Sequence, residues 1–336
     1  MRRSLLRLSI PLKRPFVTSG GVLAARELLL LRIEDEEGYV GHGEAAPLEP
    51  YDGVPLDDVA AAISAGDSSQ PHAQAAEEMA RLDLECRRAG RAVGEPGADA
   101  IVVNRTLPAG PPEEVAERAA EGLREGYSCF KLKVGLPDDA ERVAAARAAL
   151  GPSPALRLDA NGAWSAAEAV TNIEALEPYD LQLVEQPCAT LEELAEVRPR
   201  VTAPIAADEP VRTPADVRAA VASRACDVVN VKLAGSGGYN AARESLREAE
   251  SHGLRAFLSS TLDGPWGIAA ALQLAAAEGV QLACGLATLE LFDARLATAV
   301  PPPQHGLLPV PQGPGLGVEV DDDALAEVLV EERALK

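Results

Sequence analysis

Residues 4–10 alternate in polarity, with Leu6, Leu8 and Ile10 on one side, and predict a β-strand. The stretch "ELLLLRIEDEEGYVGHGEA" predicts two more strands joined by an acidic turn ending at Gly38. Between them "RPFVTSGGVLAAR" reads as a Gly-rich loop, and "PLEPYDGVP" as a second loop. Across residues 71–90, Ala76, Met79, Ala80, Leu82, Leu84 and Cys86 form a broad helical stripe closed by Gly90. Strands followed by helices define an α+β unit over residues 1–95.

From about residue 99 the texture changes to apolar strands separated by helical stretches rich in Ala, Glu and Arg. The strand candidates are "DAIVVN", "CFKLKV", "ALRLDA", "LQLVEQ", "PIAADE", "DVVNVKL", "RAFLSS" and "VQLACG". Eight strand–helix alternations predict an α/β fold, a (β/α)8-type barrel over residues 96–310. The Pro/Gly-rich tail "PVPQGPGLGVEVDDD" is then strand-like, and residues 311–336 are expected to return and complete the N-terminal unit.

The strand ends carry the chemistry. Lys133 precedes Asp159 by 26 residues and Asp159 precedes Glu185 by 26; Asp208 follows after 23 and Lys232 after 24. Ser259 and Gly285 continue the series at 27 and 26. Parallel strands deliver their C-terminal ends to one mouth, where barrel active sites are built. Asp159, Glu185 and Asp208 would then meet there, and three like charges need a cation. Hard oxygen donors favour Mg²⁺, with Mn²⁺ able to substitute. Lys131 and Lys133 share one strand face in "FKLKVG", and Lys133 and Lys232 would flank the metal. A divalent cation opposite two lysines suits removal of a proton next to a carboxylate, with the cation stabilising the enediolate. An exposed edge strand guarded by lysines is the bland alternative for Lys131 and Lys133. Glu209 is a supporting residue or points away, since strand alternation opposes it to Asp208. "GSGG" at 235–238 is a weak phosphate-loop signal, and His42, His72, His252 and His305 show no mutual spacing.

Formal net charge is −21 over 336 residues, which argues against nucleic-acid or anionic-membrane partners and leaves a small-molecule carboxylate as the expected one. "MRRSLLRLSIPLKRP" resembles a signal peptide superficially, but Arg7 and Ser9 interrupt the apolar run. Five scattered cysteines fit small buried hydrophobes, and a reducing cytoplasm is the expected compartment.

"FKLKVG", "LRLDANGAW", "LVEQP", "IAADEPV" and "VVNVKLAGSGG", in this order and spacing, resemble the muconate-lactonizing subgroup of the enolase superfamily. "GYVGHGEAAPLEPYDG" is similar to that family's capping-domain signature, and "GPGLGVEVD" to its C-terminal return strand. The resemblance implies a modified TIM barrel beneath an N-terminal α+β capping domain. It also implies metal ligation by Asp159, Glu185 and Asp208, with acid/base lysines at Lys133 and Lys232 and Lys131 assisting. Dipeptide epimerases of the subgroup carry an Asp-x-Asp after the eighth strand, where this chain reads "CGLATLELF". "GLATLELF" and "LSSTLDGPWG" resemble the o-succinylbenzoate synthases of menaquinone biosynthesis, which implies syn dehydration of a succinyl-hydroxycyclohexadiene carboxylate. N-acylamino-acid racemase or dipeptide epimerase activity is the alternative. On the synthase reading Asn161, Ser259, Ser260 and the backbone around Gly285 and Ala287 orient substrate, and the loops near residues 16–26 and 47–54 close the mouth. Arg26 is a candidate substrate contact, although a surface arginine is the favoured reading of it, and Trp164 packs beneath the site.

Overall fold

The computed structural model describes residues 1–18, 21–95, 97–297 and 300–335. Leu5, Leu29, Leu31 and Ile33 put an apolar face on an N-terminal antiparallel sheet, and this face packs on Val59, Ile63, Ala73, Ala76, Ala80 and Leu84 of two helices. In spatial order the strands are Leu329–Leu335, Arg2–Thr18, Gly21–Glu34 and Val40–Ala45. The expected loop at 14–26 is instead the far end of a β-hairpin. Val17 pairs with Val22 and Thr18 with Gly21, beyond a register shift between Pro11 and Phe16. Prolines 11 and 15 lack the N–H a regular ladder needs, so the strand is interrupted but not ended. Residues 19–20 of that expected loop lie outside the described residues.

Helix Pro71–Arg88 crosses strand Val40–Ala45 at close range. A Cβ at Gly43 would lie 1.8 Å from the Ala76 carbonyl oxygen, so glycine sets that approach. The tail differs from expectation. Residues 313–321 run mostly as loop, followed by helix Asp322–Val328, and the pairing strand comes afterwards at Leu329–Leu335.

The second sheet is parallel and curled. Its order runs Arg105–Leu107, Cys129–Lys133, Ala155–Asp159, Leu181–Glu185, Ile205–Ala207, Val228–Val231, Arg255–Leu258. Bridges Ser259–Gly285 and Val103–Cys284 close the curl through an eighth stave reduced to Cys284 and Gly285. The neighbouring Ala283 carbonyl accepts from the Arg157 guanidinium across the barrel at 2.7 Å. "DAIVVN" is divided as well: Ala100–Val102 pairs antiparallel with Leu307–Pro309, and Val103 then turns into the barrel. A 3₁₀ turn, Leu289–Leu291, follows the last stave where an eighth helix was expected, because the chain has to return to Ala100–Val102. Helix Pro265–Ala277 is buried along its length, and its run of Ala, Leu and Ile suits a helix enclosed on all sides. All five cysteines are free and buried. Among the described residues no helix is long and apolar enough to cross a membrane.

Candidate active site

Strand register brings the charged ends together. Lys133 pairs with Asp159, Asp159 with Glu185, and Glu185 with Ala206, so Asp208 lies two residues further along the next stave. The three carboxylates are almost fully buried: Asp159 is 1% exposed, Glu185 0% and Asp208 4%. Lys131 Nζ stands 3.0 Å from Asp159 Oδ2 and 3.3 Å from Glu185 Oε2. Lys133 Nζ is 2.5 Å from the same Asp159 oxygen and donates to Asn161 Oδ1 at 2.6 Å. Lys232 pairs with Asp208 and donates to the Tyr51 hydroxyl at 2.6 Å, its Nζ 4.6 Å from the Tyr51 ring centroid.

The electrostatics follow from this crowding. Burial opposes the Lys131 charge, but Asp159, Glu185 and Asp208 outweigh it and push its pKa above the ordinary lysine value. Burial would also raise Asp159, yet Lys131 and Lys133 hold it well below the usual carboxylate range. Glu185 goes the other way, raised by burial and by the Asp159 charge. Glu209 is pushed up to about 7 by burial and by Asp208. Its Oε1 accepts from Asn161 Nδ2 at 2.9 Å, while its buried Oε2 has no partner.

Among the described residues no three His, Cys, Asp or Glu side chains close on one point as they stand, and the lysine ammonium groups lie against the carboxylates. The donor set nonetheless fits a hard divalent cation. It offers buried carboxylates on adjacent staves, a Glu185 whose charge is under-compensated, and an unpartnered Glu209 oxygen beside them. The lysines sit on flexible stems and can withdraw to the flanks.

The remaining candidates divide. Asn161, at φ 44°, belongs to the mouth. Ser260 Oγ lies 2.9 Å from Thr288 Oγ1. Ser259 is buried and donates to Asn230 Oδ1 at 2.7 Å. The Gly285 N–H donates to the Leu258 carbonyl and its carbonyl accepts from Ser260, so both backbone groups serve barrel closure. Ala287 lines a cavity of about 310 Å³ with Leu286, Leu289 and Phe292. Arg26 is neither on the surface nor free for substrate. It is 3% exposed and donates to the carbonyls of Glu27, Ala46, Pro47 and Leu262. The 47–54 segment contains the short helix Glu49–Asp52, held by Asp52 accepting from Leu48 and Val54, and it carries Tyr51 to Lys232.

"GSGG" does not form an anion cradle. The Glu78 carboxylate of the N-terminal helix accepts from the Asn240 N–H at 3.3 Å and sits against Gly238, so a negative group already occupies that turn. Trp164 is buried. His42 is half-buried, its ring centroid 6.1 Å from that of Trp266, and desolvation pushes it down to about 3, while His72 is buried 3.1 Å from Asp52. Tyr51 and Asn230 lie outside the strand-end series of charges. Asn230 had a signal, since it stands two residues before Lys232 in "VVNVK" and so shares its strand face.

The model of the enolase C-terminal domain-like family matches residues 114–324, and the chain belongs to that family, within the enolase superfamily. An o-succinylbenzoate synthase of Thermobifida fusca (strain YX) is 43% identical over 245 residues, covering 71% of this chain and 74% of its own length. An L-Ala-D/L-Glu epimerase of Bacillus subtilis (strain 168) is 32% identical over 305 residues, covering 81% of this chain and 83% of its own. The crystal structure of a dipeptide epimerase from Cytophaga hutchinsonii, complexed with Mg and the dipeptide D-Ala-L-Val, is similar with a TM-score of 0.92 at 26% identity, covering 100% of this chain and 99% of that one.

Proposed function

We propose that this protein is an o-succinylbenzoate synthase, removing water from 2-succinyl-6-hydroxy-2,4-cyclohexadiene-1-carboxylate in menaquinone biosynthesis. The observation that carries the reading is the inequality of the two flanking amines. Lys133 has 33% of its side chain exposed to the mouth, whereas Lys232 has 14% and is held between Asp208 and the Tyr51 ring. One accessible amine and one anchored cation suit a reaction in which a single base works on a single face.

Lys133, as the free amine, takes the α-proton of the ring carbon bearing the carboxylate. The same ammonium then returns that proton to the hydroxyl departing from the neighbouring carbon, so water leaves from the face on which the proton was taken and the ring becomes aromatic. Asn161 holds Lys133 on course through its Oδ1, and Lys131 bridges Asp159 and Glu185 and offsets their mutual repulsion. Lys232 remains an ammonium on the opposite face, stabilising negative charge without exchanging a proton. Asp159, Glu185 and Asp208 would hold Mg²⁺ or Mn²⁺, which supplies Lewis-acid charge for a carboxylate becoming doubly negative.

Racemisation or epimerisation is the second reading, favoured by the epimerase relative that matches over 81% of this chain and by lysines on both flanks. It requires both amines to exchange protons with substrate. The test is purified protein with Mg²⁺ and the cyclohexadiene substrate, followed by absorbance of the aromatic product. Rapid aromatic product supports the proposal. Its absence, together with solvent-deuterium exchange into both enantiomers of an N-acylamino acid, overturns it.

A further inference from the structure

We propose that Ser259 and Asn230 form a directed hydrogen-bond relay that positions Glu185 for a divalent cation; this rests on the reading of Asp159, Glu185 and Asp208 as the cation's ligands. Asn230 Nδ2 donates to Glu185 Oε1 at 2.9 Å, and Ser259 Oγ donates to Asn230 Oδ1 at 2.7 Å. Residue chemistry fixes the direction. An ionised carboxylate only accepts, so the amide has to turn its NH₂ toward Glu185, which leaves its oxygen facing Ser259 and makes the hydroxyl the donor. All three groups are buried, at 1% exposure for Asn230, 4% for Ser259 and 0% for Glu185, so water cannot replace a missing partner.

The fold makes room for the relay. Asn230 and Glu185 stand on staves separated by Ile205–Ala207, which presents only Ala206 where Glu185 pairs. On the other side Ser259 faces a glycine, and a Cβ on Gly285 would lie 2.8 Å from Ser259 Cβ. The Gly285 position thus serves to seat Ser259. Ser259 is therefore a positioning residue at one remove from Glu185, in place of the substrate contact that the sequence suggested. Bonds running in one direction polarise one another, so the hydroxyl strengthens the amide's hold on the carboxylate. Outer partners of this kind orient a ligand and tune its affinity for metal.

The test is Mn²⁺ affinity by electron paramagnetic resonance, without substrate, well below each variant's melting temperature. Asn230→Leu should weaken Mn²⁺ binding roughly 10–100-fold. Ser259→Ala should weaken it roughly 2–10-fold, the worth of one neutral hydrogen bond. In the double variant the serine change should add nothing, because its effect passes through the amide. A merely structural serine would lower the melting temperature and leave the affinity of the folded chain unchanged. The proposal is overturned if Ser259→Ala binds Mn²⁺ as tightly as the unaltered chain, or if its effect persists in full beside Asn230→Leu. If Asn230→Leu does not fold, the Ser259→Ala affinity alone decides. A chain that shows this pattern yet leaves the cyclohexadiene unchanged overturns the synthase reading and not the relay.

Discussion

Replacing Lys133 with alanine separates the chemistry from the cation site. Lys133 is the most open of the three mouth amines, at 33% side-chain exposure against 12% for Lys131 and 14% for Lys232, so its loss removes the proton carrier and little packing. A positioned general base contributes about 10²–10⁴-fold. Here one amine serves both the abstraction and the departure of hydroxide, which places the expected loss near ~10⁴-fold in kcat, about 5.5 kcal/mol. Metal binding should move the other way. The Lys133 ammonium lies 2.5 Å from Asp159 Oδ2 and competes with a cation for that oxygen, so Lys133→Ala should bind Mn²⁺ as tightly as the unaltered chain or more tightly. Single-turnover absorbance measures the first effect, and a Mn²⁺ titration the second. A kcat within tenfold of the unaltered value refutes the base assignment. Loss of Mn²⁺ binding together with activity would show that Lys133 builds the site instead of performing the reaction.

Arg26→Met leaves four backbone carbonyls without their donor and should cost about 3–5 kcal/mol in denaturant unfolding; a change below about 1 kcal/mol would contradict its role as an internal brace. Glu44 accepts from the Gly264 and Gly267 N–H groups, and burial, aided by the Asp263 charge, raises its pKa from 4.5 to about 8. A carboxyl raised by folding contributes stability that is complete below pH 4.5 and is lost as pH rises through about 8, so Glu44→Gln should flatten the fall in unfolding free energy across that window. An unchanged slope counts against it. Tyr51→Phe keeps the ring 4.6 Å from Lys232 Nζ but deletes the hydroxyl acceptor, and kcat/KM should fall roughly 2–10-fold; no change would mean that the hydroxyl does not hold Lys232.

The strand ends were legible because one rule governs them all. A βα unit has a narrow range of lengths, so a charge at the end of each apolar run recurs at near-constant spacing, and Lys133, Asp159, Glu185, Asp208 and Lys232 do converge on one mouth. What escaped depends on contacts distant in sequence. Arg26 looked like a surface residue because nothing local reveals that Leu262, 236 positions away, will offer it a carbonyl. Tyr51 reaches Lys232 across 181 positions from a segment that reads as a mouth-closing loop in which no side chain stands out. The pairing of residues 16–18 with 21–23 was hidden by prolines and glycines, whose loop propensity gives way to it. The first and eighth staves were read as whole strands, although Ala100–Val102 is drawn off by Leu307–Pro309 and only Cys284 and Gly285 complete the barrel.

Anomalous diffraction from a crystal grown with Mn²⁺ tests the arrangement most directly. The account predicts one anomalous peak per chain bounded by Asp159, Glu185 and Asp208, with Lys133 and Lys232 withdrawn to either side. A peak confined to surface carboxylates, with Lys131 and Lys133 still seated on Asp159, would contradict it.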